Sequence, residues 1–133
     1  MTKSNLMDKY PVYSLSIPKT ETNFKNIDEI IEQLKSFIEA HPVAIYISTF
    51  DHYAHTKSLG EKGKMLQGLQ GAKNLIFCFG KEIPNTQILA VRPRTISVSE
   101  LENSFSIDFL EVPNEQLQVL VEKWVKSLTS TNA

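Results

Sequence analysis

The chain has 133 residues, 41% of them apolar and 22% charged, with 14 basic against 15 acidic side chains for a formal net charge of -1. Those values exclude a disordered chain, which combines few apolar residues with a high net charge. They also leave no excess positive field for nucleic-acid binding, which requires several phosphates to be neutralised at once.

Met1 to Lys9 lacks the apolar segment of a signal peptide and is expected to fray. Val12 to Ile17 alternates, with Tyr13, Leu15 and Ile17 on one face and Ser14 and Ser16 on the other, so it reads as a strand with one wet face that Pro18 closes. Asn26 opens a helix, with Glu29 three residues on in a capping-box pattern. Ile27, Ile30, Ile31, Leu34, Phe37 and Ile38 form its apolar face, and His41-Pro42 ends it.

Val43 to Phe50 begins apolar on both faces and is expected to be a central strand. Asp51 to Leu59 reads either as a helix, with Asp51 as N-cap and Gly60 at the C′ position, or as a continuation of the strand. Four of the five glycines lie between Gly60 and Gly71, predicting a mobile loop in which Lys64 to Leu69 is the candidate for a short, weak helix.

Leu75 to Phe79 reads as a second strand apolar on both faces, and Pro84-Asn85 as turn chemistry. Gln87 to Arg92, Thr95 to Ser99 and Ser104 to Glu111 are expected strands. Asn114 precedes a C-terminal helix whose apolar side is Leu117, Leu120, Val121, Trp124, Val125 and Leu128. Residues 129–133 are expected to fray.

This order predicts one α+β domain over residues 1–133: a two-layer sandwich with a mainly antiparallel sheet of about five or six strands and two main helices on one face. Tyr13, Phe77, Phe105 and Trp124 are the expected core. Two helices cover one side of a sheet only, so the doubly apolar strands call for the loop, a second copy of the chain or a ligand on the other side.

Three places carry candidate chemistry. The first is the arginine pair: 12 of the 14 basic residues are lysines, and both arginines, Arg92 and Arg94, flank Pro93. Two planar guanidinium forks side by side suit a carboxylate or phosphate ligand. The plainer reading pairs them with Asp108, Glu111 or Glu100 on the neighbouring strand. The second is Asp51-His52-Tyr53-Ala54-His55. On a helix His52 and His55 share a face and offer imidazole nitrogens to a transition metal such as zinc, or to haem, with Asp51, Glu61 or Cys78 needed to complete the ligand set. The third is Cys78, the sole cysteine, which cannot close an internal disulfide. Between Phe77 and Phe79 it reads as a buried small hydrophobe. Phe50, Tyr46 and Tyr53 read as core or pocket lining. Gly60 to Met65 is not a phosphate loop, because its glycine spacing is too short and no Ser or Thr follows the lysine.

With the segments FDHYAHT, NLIFCFG and VRPRTISV, the chain resembles a family of small, functionally uncharacterised bacterial proteins, a domain of unknown function, from Tyr10 to Trp124. The resemblance implies a bacterial source but no activity, cofactor or catalytic residue. The leading expectation is therefore a non-enzymatic, cytoplasmic homodimer that needs no cofactor. Its open sheet face would bind a small anionic ligand or a protein partner, with no nucleic acid and no membrane involved. The alternatives are a metal- or haem-binding protein or metal-dependent enzyme using His52 and His55, and a structural subunit of a larger assembly.

Overall fold

A computed structural model describes residues 1–129. It is an α+β fold in which six strands form one antiparallel sheet, in the order β1-β2-β6-β5-β4-β3. The strands are β1 (Thr2–Leu6), β2 (Tyr10–Pro18), β3 (Ile45–Asp51), β4 (Gly71–Cys78), β5 (Arg94–Glu100) and β6 (Ser104–Leu110). The helices are α1 (Ile27–Ala40), α2 (His52–Ser58) and α3 (Glu115–Lys126). The two long helices, α1 and α3, pack on the same side of the sheet and share one core.

Alternation decides what that core contains. β6 turns Phe105, Ile107 and Phe109 inward, β5 turns Ile96 and Val98, and β4 turns Leu75 and Phe77, all of them buried. Onto them α1 lowers Ile30, Ile31, Leu34 and Ile38, and α3 lowers Val121, Trp124 and Val125. Of the expected core aromatics, Phe77, Phe105 and Trp124 are buried, while Tyr13 is half-buried and stacks on Phe109 with ring centres 5.6 Å apart. The caps follow the sequence: the Asn26 side chain accepts from the Glu29 N–H at 2.9 Å, while the Glu29 carboxylate accepts from the Lys25 N–H at 2.8 Å.

Several elements depart from expectation. Residues 1–9 do not fray: Thr2–Leu6 pairs with β2 through a tight turn in which Met7 and Asp8 have φ of 56° and 58° and Lys9 N–H donates to the Leu6 carbonyl. Positive φ at two successive residues is the mark of a type I′ turn, here set in a three-residue loop between the paired Leu6 and Tyr10. The expected fraying over 129–133 falls outside the described residues except at Thr129. Val43 to Phe50 is not central, because β3 is an edge strand paired on one side only. Gln87–Val91 is a 3-10 helix, not a strand, and Lys64 to Leu69 contains only a turn closed by Leu69 N–H on the Leu66 carbonyl.

The sheet face away from the helices also differs. Across it Thr2, Ser14, Asp108, Ser97 and Asn74 follow one another on five neighbouring strands. Asp108 accepts from the hydroxyls of Ser14 and Ser106, and Ser97 donates to the Asn74 side chain at 2.7 Å. Most of this face is polar and satisfied with no cover. Its apolar parts lie at the two sides: Ile45, Phe50, Ile76 and Cys78 on β3 and β4, and Leu6, Tyr10, Val12 and Leu110 across β1, β2 and β6. Cys78 accordingly is not buried. It points outward between two inward phenylalanines, half-exposed, and its Sγ accepts from the Gly80 N–H at 3.3 Å.

A surface ion pair adds to the ladder that holds β1 on β2. Lys3 Nζ lies 3.0 Å from Glu111 Oε1. The Lys3 hydrogen bond and charge hold the Glu111 carboxyl below its ordinary range, with a further contribution from the Tyr13 hydroxyl, and Glu111 in turn raises Lys3. A lowered carboxyl stabilises the fold above its unfolded pKa, roughly 4.3, and that contribution is lost as pH falls through the folded value. On acidification below about pH 4, amide signals of Lys3 to Leu6 should therefore shift and lose exchange protection before those of Ile96 or Ile107. The variant Glu111→Gln should show the loosened β1 at neutral pH and no further acid step there, as read by NMR titration.

Candidate functional site

The best-formed concavity lies at one end of the sheet. There β4 leaves, β5 enters, β6 ends, α1 terminates at His41 and α3 begins after Asn114. It is a cleft of about 440 Å³, within the range of roughly 300–1,000 Å³ common for small-molecule sites. Phe79 and Val112 are buried in its wall, and Val43, Val91 and Leu117 add apolar surface. Arg92, Arg94, Lys81 and Glu82 supply its charges.

Both arginines line this cleft, but neither meets a carboxylate among the described residues. The partners expected for them are engaged elsewhere. Glu111 pairs with Lys3, Glu100 with Lys19 at 2.8 Å, and Asp108 with two serine hydroxyls. Arg94 instead donates to main-chain carbonyls: Nη1 to Val91 at 3.0 Å, and Nη2 to Leu110 at 3.1 Å and Glu111 at 2.8 Å. Burial pulls the Arg94 guanidinium below its usual pKa, but not far enough to discharge it. Arg92 follows the 3-10 turn with extended backbone (φ -122°, ψ 147°), is joined to Pro93 by a cis peptide bond, and donates from Nη1 to the Glu82 carbonyl at 2.8 Å.

Three contributors escaped the sequence reading. His41 stands at the cleft edge with Nδ1 accepting from the N–H groups of Val43 and Ala44, both at 3.1 Å, which leaves Nε2 to carry the ring proton. Its ring meets Phe79 and Trp124 edge-on. Lys81 follows directly on Gly80 in the turn after β4. Gly80 presses on Arg92 so closely that a Cβ there would come within 2.6 Å of Cζ and Nη1. The only sequence sign of this was Gly80 itself, the one glycine outside the Gly60 to Gly71 cluster.

His52 and His55 do not join this cleft. They sit on α2 at the opposite end of the β3–β4 ladder, where Asp51 faces Lys73, roughly 20 Å away along the strands. The segment is helical, with the Asp51 side chain accepting from the Ala54 N–H at 2.8 Å and Gly60 at C′ with φ of 59°. The two rings do come together, both against Phe50, at 4.6 and 5.7 Å. Asp51 is occupied as the cap, and among the described residues no group of three His, Cys, Asp or Glu side chains could hold a metal ion. Of the aromatics named as pocket lining, Phe50 is exposed on the outer face, Tyr46 lies half-buried under Lys35, Tyr53 lies half-buried beside Lys57, and none reaches the cleft.

No described helix is long and apolar enough to cross a membrane. Because Arg94 joins three carbonyls that are exposed or part-buried, Arg94→Ala should lower the unfolding free energy by about 1 kcal/mol. Arg92→Ala should change it by less than half as much; urea denaturation of the two variants checks the ranking.

No curated protein proved similar to the chain. A family model does match it, over residues 1–130, so the chain belongs to DUF6858, a family of unknown function.

Proposed function

We propose that the protein is a non-enzymatic, cytoplasmic binding protein that takes a small organic anion into the cleft at the end of the sheet. The observation that carries this reading is the charge balance there: two guanidinium groups and Lys81 face a single carboxylate, Glu82, and no acidic side chain pairs with either arginine among the described residues. An uncompensated cationic site with apolar walls favours an anion with an apolar body, because the walls lower the local dielectric and strengthen the attraction. Both arginines lie at the end of the sheet and not on its open face, which moves the anion reading there. The free cysteine accords with a reducing compartment, and the bacterial source rests on sequence resemblance alone.

The test is a thermal-shift screen of small organic anions and their neutral isosteres against the wild type and Lys81→Ala/Arg92→Ala. Anions should raise the melting temperature of the wild type, less so in high salt, and the double variant should respond to none of them. Equal shifts from neutral isosteres would sink the reading.

The edge strand β3 supports a homodimer as a second part of the proposal. Natural sheets guard their edges with lysine, proline or short strands. β1 follows that rule: it is five residues long and carries Lys3. β3 (IYISTFD) has neither lysine nor proline, its one guard being the register shift between Tyr46 and Ser48, and it exposes Ile45 at 60%, Ile47 at 49% and Phe50 at 42%. Antiparallel pairing of β3 with its copy about a two-fold axis continues a wholly antiparallel sheet and covers these side chains. Light scattering should give the mass of a dimer for the wild type and of a monomer for Ile47→Lys, with far-ultraviolet circular dichroism unchanged. A wild-type monomer at every concentration removes this part.

A further inference from the structure

The two arginines of the cleft are not equivalent, and the difference specifies what the cleft accepts. A guanidinium offers five N–H donors in a fixed plane. Arg94 has three of its hydrogen bonds committed to the carbonyls of Val91, Leu110 and Glu111, so it frames the cleft and has little left for a ligand. Arg92 makes one, to the Glu82 carbonyl, and its other donors meet no protein acceptor among the described residues. The start of α3 adds little, since the Asn114 side chain already caps the Leu117 N–H at 3.1 Å. His41 has its acceptor nitrogen occupied by two backbone N–H groups. One fork is thus open, and the cleft's lining also includes Glu82, whose negative charge opposes a second one on the ligand.

A single planar fork beside an apolar wall matches one carboxylate, bound through two parallel hydrogen bonds. Phosphate esters and polyphosphates call for several donors converging from different directions, such as the backbone cradle of a phosphate loop, and this cleft adds only the Lys81 ammonium to the Arg92 fork. Gly80 explains how the open fork keeps its place. The glycine backbone lies against the face of the Arg92 guanidinium, where a Cβ would come within 2.6 Å of Cζ and Nη1 and 2.8 Å of Nε. The Glu82 carbonyl then fixes the rotation of the group.

Resting on the anion-cleft reading above, we propose that the ligand is a monocarboxylate with an apolar body, gripped by Arg92, and that Gly80 is the positioning residue for that guanidinium. Because the guanidinium is the end of a flexible side chain, a methyl group at Gly80 displaces it with little cost to the fold. Gly80→Ala therefore separates positioning from structural support.

The experiment is calorimetric titration of 3-phenylpropanoate and octanoate, with 3-phenylpropanamide, phenyl phosphate and inorganic phosphate as comparisons, on the full chain. The carboxylates should bind and the amide should not, and the phosphates should bind more weakly than either carboxylate. Arg92→Ala and Arg92→Lys should each weaken carboxylate binding on the order of tenfold or more, since lysine cannot supply the planar fork. Gly80→Ala should weaken it about three- to tenfold, with the melting temperature of the ligand-free protein unchanged. Arg94→Lys should lower that melting temperature instead. Tighter binding of phenyl phosphate through Arg92 overturns the carboxylate class while leaving an anion site in place. Wild-type affinity in Arg92→Ala overturns the role of Arg92, and wild-type affinity in Gly80→Ala overturns that of Gly80. If no carboxylate or phosphate binds the wild type at all, the anion-cleft reading falls together with this one.

Discussion

Three main-chain carbonyls, from Val91, Leu110 and Glu111, converge on the guanidinium of Arg94, and the open end of the sheet is held by that convergence. The carbonyls belong to the 3-10 turn before β5 and to the segment where β6 ends, so one side chain ties together chain positions far apart in sequence. A neutral donor cannot do this with comparable strength, because a hydrogen bond to a charged group is worth roughly 1.5–3 kcal/mol against about 1 kcal/mol for a neutral pair. Lysine has the charge but not the spread of donors in one plane. The bond set also leaves the charge itself unneutralised, since carbonyl dipoles solvate a guanidinium without cancelling its field. A cleft framed in this way is cationic by construction.

The rest of the architecture follows from a core built on one side. Alternation puts Phe105, Ile107, Phe109, Ile96, Val98, Leu75 and Phe77 under α1 and α3, and it necessarily puts their neighbours Ser106, Asp108, Ser97, Asn74 and Ile76 on the far side. The polar ones bond along and across strands, as Asp108 does with Ser106 on its own strand and with Ser14 on β2. Cross-strand hydroxyl pairs of this kind suit an uncovered face. With nothing stacked on the outer side, the cleft forms where the helices stop short of the sheet ends. His41 after α1 and Asn114 before α3 mark such a place, and the cleft is there.

Much of this was legible because period and capping act locally. α1, α3, β2 and β6 each carry their pattern in consecutive residues, and Asn26, Asp51 and Asn114 each cap the helix that follows. What escaped depends on position. Val43 to Ile47 is apolar on both faces, which local sequence reads as central. The structure makes β3 an edge, and the hydrophobicity is simply exposed. The β1 hairpin turns on Met7 and Asp8 at positive φ, where the usual Asn-Gly or Asp-Gly signal is missing. Gln87 to Arg92 reads as a strand, yet Asn85 caps it into a turn by accepting from the Ile88 N–H at 2.9 Å. The arginine pair was found by composition alone, but its partners were not, because a carbonyl has no letter in the sequence.

Register explains why these two guanidiniums differ in environment. Arg94 pairs with the buried Phe77 and precedes Ile96 and Val98 at intervals of two, so its side chain leaves the strand on the helix-covered face. At that position it loses water, which is what draws its pKa down, and it must be satisfied by whatever polar groups the strand ends expose. An apolar residue there would complete the inward pattern but strand three carbonyls, so the alternation gives way to a cation at the last position before the core closes. Arg92 lies outside the strand, beyond Pro93, and is under no such demand. Its placement comes from Gly80 and Glu82 instead, contacts that hold the group without exhausting its donors.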